Sequence, residues 1–155
     1  MEDKDKYEPV IGLEVHSQLL TKSKMFCSCP SIYIDSEPNS VVCPVCLALP
    51  GSLPVVNRKA VEFVIMTGLA LNGKIASMAQ FHRKNYPYPD LMKGYQISQY
   101  DNPISSGGNL TINVNGFEKK IGITRVHLEE DVAKLQHINK DQHDRYSLVD
   151  VNRSG

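Results

Sequence analysis

The chain has 155 residues, about one domain in length, and 41% of them are hydrophobic, enough to bury an ordinary core. Its 17 acidic and 17 basic side chains cancel to a formal net charge of zero, which removes the basic excess expected of a dedicated DNA- or RNA-binding module. Zero net charge also protects a lone monomer poorly against association, a problem that a larger assembly would ease.

The opening residues, Met1-Glu2-Asp3-Lys4-Asp5-Lys6, alternate in charge. They lack the apolar core of a secretion signal and the acid-poor bias of a transit peptide. Residues 1–6 are expected to be a mobile tail. No apolar run approaches the roughly 18 residues of a membrane span. Paired cysteines without an export signal favour a cytoplasmic, metal-bound state with no membrane contact.

Residues 7–20 alternate, with Ile11, Leu13, Val15 and Leu19 on one face and Gly12, Glu14, His16 and Gln18 on the other. Period-two patterning predicts a half-buried strand. Residues 21–56 are rich in Ser, Pro and Val and predict a long loop. Asn57 is a candidate helix N-cap, and Val61, Val64, Ile65, Gly68 and Leu69 follow at helical spacing. Asn72-Gly73 should end that amphipathic helix near residue 71. Residues 81–100 read as irregular, because Pro87 and Pro89 rule out a regular helix. Tyrosines and amides crowd this stretch, as in loops that are exposed or line a site. Residues 110–114 and 117–123 flank Asn115-Gly116, a strong hairpin signal. The second strand is expected to run on to residue 126 or 128, and a last strand to span residues 146–151. No internal repeat or low-complexity segment is visible.

All four cysteines lie in the long loop as Cys27-Ser28-Cys29 and Cys43-Pro44-Val45-Cys46, a Cys-x-Cys-x13-Cys-x2-Cys pattern. Three states compete: reduced structural thiols, a redox or disulfide pair, and a tetrahedral zinc on all four. A redox motif leaves the other pair unexplained, which favours zinc. Four thiolates leave no open coordination position, so such an ion holds shape.

Glu14 and His16 share one face of the predicted strand. A carboxylate beside an imidazole can ligate a metal or transfer protons, although the same pair is commonplace on a solvated edge. His127-Leu128-Glu129-Glu130-Asp131 adds three carboxylates, suited to a hard cation such as Mg²⁺ or simply to a solvated strand end. Arg83-Lys84 could meet phosphates as fork and point charge. No glycine-rich phosphate loop is present, so a nucleotide site would need a strand-built, metal-bridged architecture.

Several of these stretches resemble one family. Ile11-Gly12-Leu13-Glu14-Val15-His16 is similar to the opening of the B subunit of aspartyl/glutamyl-tRNA(Asn/Gln) amidotransferases. So are the run from Val42 to Gly51 around the second cysteine pair, Arg83-Lys84-Asn85-Tyr86, and Lys93-Gly94-Tyr95-Gln96-Ile97-Ser98-Gln99-Tyr100. His127-Leu128-Glu129-Glu130-Asp131 and Ser147-Leu148-Val149-Asp150 with Asn152-Arg153 complete the series, in the family's order. His82, Pro87 and Met92 depart from residues usual there.

The resemblance implies an α+β fold, largely antiparallel sheet with one main amphipathic helix and a zinc-bound loop, related to glutamine synthetase and guanido kinases. It implies that residues 7–155 are an incomplete N-terminal cradle (kinase) domain, with a zinc knuckle at about 25–50, and that the chain is a truncated piece that would be inactive alone. The implied function is a ligase activity in protein biosynthesis. ATP and Mg²⁺ activate the side-chain carboxylate of Glu-tRNA(Gln) or Asp-tRNA(Asn) by phosphorylation. Ammonia from glutamine, released on the amidase subunit, then displaces the phosphate. The implied hetero-oligomer also includes a further small subunit. Glu14, His16 and Glu130 would hold Mg²⁺, and Lys84 would be catalytic with them. Arg83, Lys84, Tyr95, Gln96 and Ser98 would contact ATP, and Cys27, Cys29, Cys43 and Cys46 would hold zinc. The rival readings are a non-enzymatic zinc-ribbon adaptor for protein or RNA and another carboxylate-activating kinase. The adaptor predicts that Glu14, His16 and Glu130 are scattered; the enzyme predicts that they converge.

Overall fold

Asn57 starts the main helix by accepting a hydrogen bond from the Lys59 N–H at 2.8 Å. Its amide nitrogen also donates to the Ser23 carbonyl (3.2 Å) and hydroxyl (3.0 Å), tying the helix start to the chain before the cysteines. The computed structural model describes residues 6–139 and 145–155. In it the helix, α1, spans Arg58–Ala70. Asn72 then takes a left-handed φ of 58°, the conformation that stops a helix. Apart from residue 6, the tail expected at residues 1–6 lies outside the described residues.

Among the described residues, nine short strands accompany the helix, and every pairing is antiparallel. β1 (Lys74–Ile75), β4 (Ser105–Ser106) and β7 (Arg125–Val126) form a three-stranded sheet in the order β1-β4-β7. β2 (His82–Asn85) pairs with β3 (Tyr95–Ser98), β5 (Asn109–Val114) with β6 (Phe117–Gly122), and β8 (Lys134–Asn139) with β9 (Arg145–Asp150). A short 3-10 turn, Val151–Arg153, follows β9. This is an α+β arrangement of antiparallel sheet and one helix.

Ala60 and Val64 of α1 pack with Ile104 and Leu128, and Leu19, Met25, Ile65, Phe81 and Val126 surround them. The helix comes close to the sheet at Gly68, where a Cβ would stand 2.6 Å from the Ser105 Cβ. The β5–β6 hairpin turns on Asn115 (φ 52°) and Gly116 (φ 85°). Two positive φ angles are what a two-residue turn of matching twist requires.

Three expectations need correction. Residues 7–20 form no strand, and Ile11, Leu13 and Val15 are more than four-fifths exposed. Alternation prepares a segment for a sheet, but a strand also needs a neighbour for its N–H and C=O groups, and none of the described strands supplies one. Residues 81–100 are not wholly irregular: the two prolines sit in the loop between β2 and β3. The strand after Asn115-Gly116 does not run on to residue 126. It ends at Gly122, and Arg125–Val126 joins a different sheet.

Asn152 is wholly buried and knots the end of the described chain to the cysteine loop. Its carbonyl oxygen accepts from the Val41 N–H, and its amide donates to the Glu37 carbonyl, both at 2.8 Å. Asn39 reciprocates by accepting from the Val151 N–H at 2.8 Å. Arg153 donates to the carbonyls of Val132 and Ala133 at 2.8 and 2.9 Å.

Candidate functional site

The β2–β3 register pairs His82 with Ser98, Arg83 with Ile97, Lys84 with Gln96 and Asn85 with Tyr95. Directly paired residues share a face, so the hairpin sorts the candidate residues into two groups. Arg83 and Tyr95 lie on one side, with the guanidinium 4.7 Å above the ring. With Lys93 and Glu130 they line a groove of about 540 Å³ whose opposite wall is the cysteine loop, including Cys27, Cys46 and Leu53. Lys84, Gln96 and Ser98 lie on the other side. There the Lys84 ammonium is 3.5 Å from Glu129 Oε2, and the Ser98 hydroxyl donates to the same oxygen at 2.7 Å.

Residues 127–131 follow the same two-residue logic. Leu128 and Glu130 are buried, each only 4% exposed, while His127, Glu129 and Asp131 are more open. The Glu130 backbone bonds to β3, its N–H donating to the Ile97 carbonyl at 2.8 Å. Its carboxylate accepts from the Ile97 N–H at 3.0 Å and pairs with the Lys93 ammonium. Gln96 donates to the Glu130 carbonyl at 2.6 Å, and Gln99 accepts from the Leu128 N–H at 3.1 Å. Both amides are buried, and Gln96 also accepts from the Tyr86 hydroxyl at 3.4 Å.

Glu14 and His16 stand 3.3 Å apart, exposed on the segment before the cysteines. Both act electrostatically on His127, as does Glu129. Burial is the main cause that lowers the His127 imidazole, followed by the Arg125 guanidinium. Burial likewise raises the Asp131 carboxyl, against the pull of Arg153, and His16 and Glu129 act on it too. Glu14, His16, His127, Glu129 and Asp131 thus form one electrostatic neighbourhood. The structure brings Glu14 to His16 and Lys84 to Glu129, but it turns the Glu130 carboxylate toward Lys93 and β3. Sequence reasoning marks the acidic run from 127 to 131 but carries only Glu130 of it into the site, not Glu129 or His127. The alternation from residue 127 to 131 is the signal that could find them.

The four cysteine sulfurs lie within 4.8 Å of one another. The loop folds them together with little regular structure. The Cys43 N–H points at Cys46 Sγ at 3.0 Å, and the two sulfurs are 3.8 Å apart. Burial pushes the Cys29 thiol up to about 12, helped by its bonds and charge contacts with Cys43 and Cys27. At Cys43 burial is outweighed by the N–H groups of Cys46 and Val45, which lower it to about 7. Crowded sulfurs of this kind shed their protons together only when a cation shares the charge. Four sulfur donors in one cluster fit a structural zinc ion.

The chain matches the model of the "GatB/GatE catalytic domain" over residues 9–155. It is 63% identical to the aspartyl/glutamyl-tRNA(Asn/Gln) amidotransferase B subunit of Dehalococcoides mccartyi over 149 residues, 96% of this chain and 30% of that protein. The corresponding subunits of Moorella thermoacetica and Thermomicrobium roseum are 60% and 59% identical over 150 residues, 97% of this chain and 31% of each relative. The chain therefore spans about 30% of the length of the curated relatives it matches. With its motifs in order and nearly its whole length aligned, the chain belongs to the GatB/GatE catalytic-domain family.

Proposed function

We propose that this chain is the N-terminal part of the kinase (cradle) domain of a tRNA-dependent amidotransferase, with a fold related to glutamine synthetase. The domain activates the side-chain carboxylate of Glu-tRNA(Gln) or Asp-tRNA(Asn) with ATP. A carboxylate oxygen attacks the γ-phosphorus and ADP leaves. Ammonia, released from glutamine on an amidase partner, then attacks the acyl carbon. The C–N bond forms, and phosphate departs with the carboxylate oxygen. The assembly is completed by a small third subunit. The observation that carries this reading is the juxtaposition of Lys84, Ser98 and Glu129 on one face of β2–β3.

Phosphoryl transfer asks the protein mainly for position and charge. Lys84 is a half-exposed ammonium on a strand, positioned to meet phosphate oxygens as a point charge. Glu129, itself bound by the Ser98 hydroxyl, is its ion-pair partner. Arg83 and Tyr95, on the groove side, would bear on the nucleotide only if it reached across the hairpin. By the family resemblance Glu14, His16 and Glu130 would hold Mg²⁺, a cation that prefers oxygen donors; among the described residues only the four cysteines gather as a metal-competent group. Bound to the former three, Mg²⁺ would neutralise phosphate charge. Glu130 would have to leave Lys93 to take part. The zinc on Cys27, Cys29, Cys43 and Cys46 would fix the loop that walls the groove.

The test is amide formation on filter-bound Glu-tRNA(Gln) by the full-length protein assembled with its partners, given ATP and ammonium. Gln-tRNA should form with ATP and not without it. The 155-residue stretch alone, at about 30% of its relatives' length, should form none.

A further inference from the structure

We propose that the second cysteine pair is an oxidation-sensitive latch: a hydroperoxide joins Cys43 to Cys46 as a disulfide, zinc is lost, and the groove wall of residues 43–54 comes free. This rests on the reading of the four cysteines as zinc ligands, and it follows from how that wall is attached. Val45, Cys46, Leu49 and Leu53 line one side of the groove. Both ends of the segment are tied down. The Val41 N–H donates to Asn152 Oδ1 at 2.8 Å, and the Val55 N–H donates to the Phe26 carbonyl at 3.1 Å. Between those ties, among the described residues, the hydrogen bonds turn inward. The N–H groups of Leu47 and Leu49 donate to the carbonyls of Cys43 and Pro44 at 3.0 and 2.9 Å. The Ser52 hydroxyl bonds to the carbonyls of Leu49 and Pro44 at 2.6 and 3.0 Å. The segment is thus a knuckle bonded to itself, and its polar link to the rest of the molecule is the sulfur cluster. Packing adds to that link, as at Cys46, which is 2% exposed.

The Cys43 and Cys46 sulfurs are 3.8 Å apart across one turn, inside a cluster that spans up to 4.8 Å. Cys43 is partly exposed and Cys46 buried, so a small peroxide meets Cys43 first. An accessible thiolate beside a second sulfur is the arrangement that peroxide oxidises reversibly. The Cys43 thiolate attacks one peroxide oxygen, the O–O bond breaks, and a hydroxide (or alkoxide) leaves. The Cys46 thiolate then attacks the Cys43 sulfur, the S–O bond breaks, and a second hydroxide leaves. The two sulfurs give up two electrons, the peroxide takes them, and solvent protonates both leaving groups. A disulfide sulfur carries no thiolate charge for a metal ion. Only Cys27 and Cys29 then remain as donors, half of the tetrahedral set. The disulfide keeps the turn from Cys43 to Cys46 but severs its link to the first pair, so the knuckle moves as a unit between the ties at Val41 and Val55.

The experiment titrates the full-length protein, in its assembled complex, with hydrogen peroxide. Zinc is read with a chromogenic chelator, the disulfide by mass spectrometry of the alkylated protein, and the wall by limited proteolysis. Zinc should be released in step with a Cys43–Cys46 disulfide, and a dithiol reductant with added zinc should reverse the change. Cleavage within residues 43–54 should rise about tenfold, as expected of a segment that loses its local stability. Every arm uses unaltered protein, so none depends on whether a cysteine variant folds. Zinc retained at a peroxide dose that fully oxidises glutathione would overturn the latch and leave the zinc reading intact. A disulfide through Cys27 or Cys29 in place of the Cys43–Cys46 bond would do the same. Zinc release without new cleavage in residues 43–54 would overturn the freed wall. Protein that carries no zinc before oxidation would overturn the zinc reading, and the latch with it.

Discussion

Asn152 is wholly buried, with both ends of its amide in use. Asn152→Ala would strand the Val41 N–H and the Glu37 carbonyl, each costing about 1–3 kcal/mol when left unpaired. The variant should lose about 2–4 kcal/mol in chemical denaturation, and Asn152→Asp, which buries a carboxylate against the Glu37 carbonyl, should lose at least as much. At the candidate site the residue scale separates neighbours that look alike in sequence. Glu129 meets Lys84 and Ser98, whereas Glu130 meets Lys93 and the Ile97 N–H. Lys84→Met should leave the melting temperature of the assembled enzyme nearly unchanged, because Lys84 is half exposed. It should lower ATP-dependent amidation by about a hundredfold or more, the cost of removing a positioned charge from a transition state. Equal loss of stability and rate would point to a structural lysine instead.

At the scale of elements, Gly68 sets how closely α1 approaches β4. Gly68→Ala adds a Cβ against Ser105. Overpacking costs about 1–3 kcal/mol, and the gain in helix propensity returns about 1 kcal/mol. A lowered melting temperature is expected, and a raised one would show that the helix shifts freely. The cysteine loop is the other element with a clear test. Stripping zinc with a chelator, or Cys43→Ser, should expose residues 21–56 to protease while α1 keeps its circular dichroism. Local signals make part of this fold legible. Asn57 and Asn72-Gly73 bound the helix, and Asn115-Gly116 places a hairpin, because caps and turns are written in adjacent residues. Residues 7–20 mislead, since alternation says nothing about whether a partner edge lies alongside. β2 and β3 are hidden because the prolines between them draw the whole stretch into a loop. The acidic segment is legible as a cluster, but a motif match does not show which carboxylate turns inward. Only the burial of Leu128 and Glu130 does that.

Seen whole, the molecule joins a helix-and-sheet core to a four-cysteine loop across one groove. Among the described residues no helix is long and apolar enough to cross a membrane. Among the described residues no strand pairs with the segment that carries Glu14 and His16, and its Ile11, Leu13 and Val15 are exposed. The central claim is that the Lys84 face supports phosphorylation of a tRNA-borne carboxylate. The most direct measurement labels the side-chain carboxylate of Glu-tRNA(Gln) with ¹⁸O and follows turnover by the assembled enzyme with ATP and ammonium. Transfer of one carboxylate ¹⁸O to the inorganic phosphate released, lost with Lys84→Met, is the predicted result. Gln-tRNA formed alongside unlabelled phosphate would contradict the account.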